Sequence, residues 1–318
     1  MPTGKEYFLV AAAAFLPVLF AYLGVKSAFR LAVGSRRGVL AELLSRERGS
    51  FLAIGAANTL CASLFLYGWF IEANWVELVA VEVEIQQEVP SPALRIVHLS
   101  DLHSEGFGKR ERTALELVRA AEPDIICLTG DYLSTGSGDT YLADARRFIG
   151  ALQAPFGVYA VAGNWDTDPK PLFDGSNVHL LMDQTVEVTI RGVRVVLTGN
   201  RFGLAPPGRE TLAPDAVNIL LQHSPDFLEE AAEAGYDLYL AGHTHGGQVR
   251  IPFYGAVITM SRFGKRYEAG LYSMGDTWMY VNRGLGLEGG WAPRIRLFCR
   301  PEVTVLNLQS PTGRSNAP

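Results

Sequence analysis

Three cysteines, Cys61, Cys127 and Cys299, are all that 318 residues carry, and no two of them form a CxxC pair or outline a disulfide framework. Positive charge is also in deficit. Lys and Arg number 28 against 33 Asp and Glu, a net charge of −5, which removes the electrostatic footing of a general nucleic-acid binder. No internal repeat is visible. The length suits one large domain or two small ones.

Two long apolar runs stand out against this background. Residues 7–25 are almost wholly apolar, interrupted by Pro17, and residues 51–71 form a second uncharged run. Each is about long enough to cross a bilayer. Between them Lys26, Arg30, Arg36, Arg37, Arg46 and Arg48 face Glu42 and Glu47, a net +4 for a basic connecting loop. A cleaved signal peptide would explain the first run alone, but a second span so soon after it argues for a two-helix anchor. The expected organisation is a membrane anchor over residues 1–74, a catalytic domain over 75–308 and a disordered tail over 309–318. The positive-inside rule places the basic loop in the cytoplasm and everything after Ile71 outside.

The soluble part alternates strand and helix patterns. Val79, Val81, Val83 and Ile85 show a period of two, the mark of an amphipathic strand. Strands are also expected over 93–99, 124–128, 157–162, 217–221 and 236–240, with a hairpin at 187–190 and 193–198. Helices are expected over 111–121, 141–152 and 224–234. Short strands and glycine turns fill the rest to about Leu308. This alternation indicates an α/β layered fold, with sites beyond the carboxyl edge of the strands.

Only six histidines are present, yet four fall into a spaced set with acids and an amide at those strand ends. The set is Asp101-Leu102-His103, Gly130-Asp131, Gly163-Asn164, His223 and Gly242-His243-Thr244-His245. Imidazole, carboxylate and amide oxygen suit borderline-hard divalent metals. Residues two apart in an extended segment share a side, so Asp101 and His103 can reach one ion together. A carboxylate has two oxygens and can bridge two ions, which Asp131, after its glycine, could approach closely. Two metals about 4 Å apart can generate a hydroxide and clamp phosphoryl oxygens during in-line displacement. A two-metal hydrolytic site follows as the leading reading.

These motifs resemble the calcineurin-like metallophosphoesterase superfamily, over roughly residues 93–308. The resemblance implies a four-layer α/β/β/α sandwich and two divalent ions, favouring manganese, with iron or zinc compatible. It implies Asp101, His103 and His245 as ligands of the first metal, Asp131 as the bridge, and Asn164, His223 and His243 as ligands of the second. No catalytic residue is implied beyond the metal-bound hydroxide that attacks phosphorus. The apolar N-terminus, Gly242–Gln248, Tyr280–Gly286 and Cys299-Arg300-Pro301-Glu302 are most similar to a bacterial branch anchored in the plasma (inner) membrane. That branch includes phosphodiesterases and a UDP-2,3-diacylglucosamine pyrophosphatase of lipid A synthesis. Partners are then membrane lipid and a lipid-like or nucleotide-linked phosphoester.

One position departs from the family. Where it reads Gly-Asn-His, this chain has Gly163-Asn164-Trp165-Asp166. The absent histidine is the one proposed to protonate the leaving oxygen. An indole offers only an N–H and cannot deliver a proton at neutral pH. An alkoxide leaving group gains about 10²–10⁴-fold from a general acid, whereas a phosphate leaving group needs little help. Trp165 therefore biases the site towards activated diesters or pyrophosphates, unless Asp166, His98 or a metal-bound water replaces the donor. Trp165, Asp166 and Arg283 are the expected substrate-proximal residues, Arg283 ahead of Arg262, Lys265 and Arg266 because glycines surround it. His98 is expected to be packed or hydrogen-bonded, and His179 to lie on the surface. Alternatives to the lipid A reaction are an extracytoplasmic phosphodiesterase of other lipid phosphates, or a metal-binding scaffold without turnover. UDP-linked sugars are cytosolic, so the pyrophosphatase reading conflicts with an outside catalytic domain unless the hairpin is interfacial or reversed.

Overall fold

The computed structural model describes residue 24 and residues 53–89, 91–134, 140–289 and 294–311. The chain divides into two compact units, residues 2–71 and residues 72–318. Apart from Gly24, the first apolar run and the basic loop lie outside the described residues, so the hairpin's first arm does too. Among the described residues, one helix is long and apolar enough to cross a membrane. It is Ala53–Asn74, 22 residues with 6% of its apolar window buried. It ends in a π-helical turn at Tyr67–Ile71 and a 3-10 turn at Glu72–Asn74.

Two six-stranded sheets build the larger unit. The first comprises β1 (Glu77–Glu84), β2 (Leu94–Leu99), β3 (Ile125–Leu128), β4 (Val158–Ala160), β5 (Val178–Leu180) and β14 (Glu302–Gln309), ordered β1-β14-β2-β3-β4-β5. The second contains β6 (Gln184–Ile190), β7 (Val193–Gly199), β8 (Val217–Leu221), β9 (Leu238–Ala241), β12 (Gly270–Met274) and β13 (Thr277–Val281), ordered β12-β13-β9-β8-β7-β6. β2 to β5 run parallel, as do β7, β8, β9 and β13. A two-stranded hairpin, β10 (Arg250–Ile251) with β11 (Gly255–Ala256), stands outside both sheets.

Strand alternation explains the layering. On β2 and β3, Leu94, Ile96, Ile125 and Cys127 face the other sheet and meet Val195, Leu197, Ile219 and Leu240. Their neighbours Val97, Leu99, Ile126 and Leu128 face away. They pack on Leu115 and Val118 of α1 (Lys109–Ala120), on Phe148 and Ile149 of α2 (Leu142–Gly150), and on Leu172 of the short α3 (Lys170–Phe173). The second sheet turns Leu220, Tyr239 and Met279 to Leu228 and Ala231 of α4 (Leu228–Ala234). Parallel strands covered on both faces are almost continuously apolar, and β3, β8 and β9 are buried at every residue, with Asn218 the one amide or charged side chain among them. The result is the α/β/β/α sandwich, with an apolar helix at its N-terminal side.

Two boundaries differ from expectation. β14 extends through Gln309, and the Ser310 hydroxyl accepts the Val89 N–H at 2.8 Å, so ordered structure continues past Leu308 because the last strand has an edge partner in β1. Residues 312–318 lie outside the described set. The helix expected over 224–234 begins at Leu228, after Ser224-Pro225-Asp226, because proline restricts the residue before it.

Candidate metal centre

All the motif residues emerge at the carboxyl ends of parallel strands. Asp101 and His103 follow β2, Asp131 follows β3, Asn164 follows β4, His223 follows β8, and His243 and His245 follow β9. Both sheets therefore send ligand-type side chains to one edge. Among the described residues, two clusters could hold an ion: Asp101, His103 and His245, and Asp131, His223 and His243, each buried with candidate donor atoms within 4.8 Å of one another.

The two clusters are contiguous. His103 Nε2 lies 3.1 Å from His245 Nε2, and His245 Nε2 lies 3.2 Å from Asp101 Oδ1. In the other cluster His223 Nε2 is 3.2 Å from His243 Nδ1 and 3.1 Å from Asp131 Oδ2. Asp131 Oδ2 is also 3.7 Å from His103 Nε2, so one carboxylate oxygen faces both groups. Asn164 is exposed beside them. Its neighbours on either side touch Asp131: the Trp165 N–H donates to Oδ1 at 2.9 Å, and a Cβ on Gly163 would collide with the same oxygen.

Backbone strain is concentrated here. Asp101, His103, Asp131, His243 and His245 all have positive φ, between 37° and 71°. Left-handed backbone at a non-glycine residue costs of order 1–3 kcal/mol and persists only where surroundings enforce it. Gly242 shows the enforcement, since a Cβ there would meet Ser100 and Asp101.

The electrostatics suit cations. Burial keeps His103 and His243 neutral, lowering each to about 4, and takes His245 well below its ordinary value. Burial also lowers protonation of His223, but the Asp131 and Asp101 carboxylates outweigh it and push this imidazole up to about 10. Burial raises Asp101 to about 6, while Asp131 sits near 2 because His223 overcomes its burial. The clustered carboxylates thus favour positive charge at this point. His223 Nδ1–H donates to the Thr129 carbonyl at 2.6 Å, which turns Nε2 towards Asp131. The buried Nδ1 of His245 has no hydrogen-bond partner among the described residues. The two carboxylates and four imidazoles that the clusters bring together suit two divalent ions.

The other expected residues fall differently. Asp166 lies below the site, and its carboxylate accepts the N–H groups of Asp131 (2.7 Å), Gly163 (2.8 Å) and Tyr132 (3.0 Å). It ties two ligand loops together and is occupied as an acceptor. Arg283 is committed to Glu302 and, at 2.9 Å, to Glu77, because these carboxylates face it from β14 and β1. Arg262 and Arg266 are paired with Glu230 and Glu229. His98 is fully buried, with Nε2 2.9 Å from the Thr129 hydroxyl. His179 is exposed and stacks on Tyr159.

Trp165 is 40% exposed, and its side chain favours the ionised form of the nearby Glu288 carboxylate. Glu288 lies 3.7 Å from His245 Nε2, and burial followed by repulsion from Asp131 and Asp101 raises it to about 7. The Gln248 side chain fixes its backbone by accepting the Glu288 N–H (2.8 Å) and donating to its carbonyl (2.9 Å). Glu288 carries no motif. The available signal was the Gly284–Gly286 turn, whose Leu285 and Gly286 N–H groups donate to the carbonyls of Ser100 and Asp101 and bring the following residues to the site. Arg296, fully buried, secures that turn by donating to the carbonyls of Arg283, Gly284 and Gly286.

Comparison with known proteins agrees with this geometry. A family model described as calcineurin-like phosphoesterase matches residues 94–247, spanning all seven motif residues. Phosphodiesterase YaeI of Escherichia coli is 32% identical over 286 residues, covering 84% of this chain and 100% of that protein. The chain belongs to the calcineurin-like metallophosphoesterase family. An uncharacterized metallophosphoesterase of Bacillus subtilis, YkuE, is 29% identical over 279 residues, covering 83% of this chain and 96% of YkuE. UDP-2,3-diacylglucosamine pyrophosphatase LpxG of Chlamydia muridarum is 26% identical over 325 residues, covering 81% of this chain and 95% of LpxG. This metallophosphoesterase is accordingly a hydrolase, from a family that uses a dinuclear metal site.

Proposed function

We propose that this metallophosphoesterase is a membrane-anchored, two-metal phosphodiesterase or pyrophosphatase acting on a lipid-linked or nucleotide-linked ester. The observation that carries the reading is the pair of contiguous, buried donor clusters sharing Asp131. Asp101, His103 and His245 would hold one cation, Asn164, His223 and His243 the other, and Asp131 would lie between them. Bound divalent ions supply Lewis acidity and make water nucleophilic near neutral pH. The chain's own residues hold the geometry. Thr129 orients His223, Asp166 braces the Asp131 and Gly163 loops, and Gln248 holds Glu288 at the mouth.

Trp165 extends this to the leaving group. Its indole offers only an N–H and has no proton to give at neutral pH. Diesters with good leaving groups and pyrophosphates are then the favoured substrates. Manganese is the metal favoured by resemblance. The apolar helix Ala53–Asn74 supports an anchor in a bacterial plasma membrane, with residues 75–308 as the catalytic domain. A specific observation favours a second, narrower reading: LpxG resembles the chain across 95% of its own length, which points to UDP-2,3-diacylglucosamine and a cytosolic site.

The test is metal analysis of the purified chain with turnover of bis-p-nitrophenyl phosphate and p-nitrophenyl phosphate. Two metal ions per chain and faster diester than monoester turnover are expected. Metal bound without turnover of either ester would instead make the protein a scaffold.

A further inference from the structure

We propose that the β10–β11 hairpin docks into the interfacial region of a phospholipid bilayer, a surface that rests on the anchored reading above and adds a second membrane contact beside the metal centre. The hairpin begins three residues after Gly247, in the same segment that carries His243 and His245. At its tip Phe253 is fully exposed, and Ile251, Tyr254 and Phe298 are each about half exposed. With Pro252 they line one shallow groove. A cluster of large apolar side chains held at the surface marks an interaction site rather than scatter.

The surroundings of the patch identify the occupant. Residues 249–251 lie alongside 297–298: the Leu297 carbonyl accepts the Arg250 N–H at 2.9 Å, and the Leu297 N–H donates to the Gln248 carbonyl at 2.9 Å. The next residue after Phe298 is Cys299, whose N–H donates to the Glu72 carboxylate at 2.5 Å. Arg300 then stacks its guanidinium 3.6 Å over the Trp75 ring. The patch is thus continuous with Glu72–Trp75, where the apolar helix ends. A helix that spans a bilayer leaves the hydrocarbon at its end, so groups packed on that end sit at the boundary between acyl chains and headgroups. Aromatic side chains favour that depth. Lys265, with its ammonium 3.5 Å over the Tyr254 ring, places a cation beside the rings at headgroup level, while Arg300 is shared with the Glu77 carboxylate at 3.9 Å. Arg250 is neutralised by Glu268 at 2.6 Å and adds no charge.

The consequence is functional. A bilayer in contact with Phe253 borders the loop that bears His243 and His245, so an amphiphilic ester can reach the metals without leaving the membrane surface.

The experiment uses the full chain in vesicles of phosphatidylcholine and phosphatidylglycerol. Cys61 is replaced by Ser, and a single environment-sensitive fluorophore is attached to F253C or, as a control at the opposite end of β8, to D215C. Cys127 and Cys299 are buried and do not compete for the label. Nitroxide at the fifth acyl carbon should lower emission from the F253C probe at least twofold and leave the D215C probe unchanged. A chain that floats with the vesicles but shows equal, weak quenching at both positions overturns the docking proposal alone. A blue-shifted F253C probe insensitive to nitroxide assigns the patch to a second copy of the chain and also overturns it. A chain that does not float with the vesicles overturns the anchor and the docking together.

Discussion

Trp165 is the residue on which the proposed leaving-group preference turns, and its effect is separable from metal binding. Diester turnover should depend steeply on leaving-group pKa. Trp165→His should raise turnover of poor leaving groups by about 10–100-fold, within the range of general acids, while changing good ones little. Rates for aryl and alkyl diesters measured on both proteins would show this, and a flat wild-type dependence reaching alkyl esters would refute it. His98 offers a second test, away from the metals. Burial lowers its pKa from 6.5 to about 3, so the unfolded chain takes up a proton first as pH falls. The contribution of the neutral ring is complete above pH 6.5 and is lost between 6.5 and 3. His98→Gln should therefore show a shallower loss of thermal stability than wild type across that window. Parallel curves would place the acid sensitivity elsewhere.

Elements position these residues, and their legibility in the sequence was uneven for physical reasons. The six residues of the two clusters were legible because each follows a strand end, where an extended run gives way to a turn and polar side chains have no packing role. The layers were visible because buried parallel strands are almost continuously apolar. By contrast, β14 slots between β1 and β2, parallel to one and antiparallel to the other, and periodicity says nothing about which strands pair. Glu288 and Arg296 were invisible because their roles come from a turn 40 residues and more from the metal loops in sequence, docked by backbone bonds. Asp166, two residues after Asn164, and Arg283, among glycines, were expected near the substrate; their carboxylate and guanidinium are occupied by partners within the fold. The loop braces are testable. Gly163→Ala should cut metal affinity at least about tenfold, the range seen when groups supporting metal ligands are disturbed, because the added Cβ displaces Asp131. Calorimetric titration with manganese would measure it, and unchanged affinity would mean the loop yields freely.

At the scale of the whole molecule, metal, fold and membrane are coupled. Two buried clusters that draw loops from both sheets should bind ions only when the sandwich is closed. Manganese at a hundredfold excess over its Kd should then stabilise the fold by about 2.7 kcal/mol for each independent site. Chemical denaturation with manganese and with a chelator would read the difference, and equal midpoints would separate the ions from folding. Orientation decides between substrate classes. The positive-inside rule predicts that a reporter fused after Leu308 is active outside the cytoplasm. A cytoplasmic reporter would favour the nucleotide-linked glycolipid over a lipid phosphate of the outer leaflet.

The central claim is that two ions share Asp131 between two clusters, and anomalous scattering from a manganese-soaked crystal measures it directly. The expected map contains two peaks about 4 Å apart, one among Asp101, His103 and His245, the other among Asn164, His223 and His243, with Asp131 touching both. A single peak, or peaks away from Asp131, would contradict the dinuclear site.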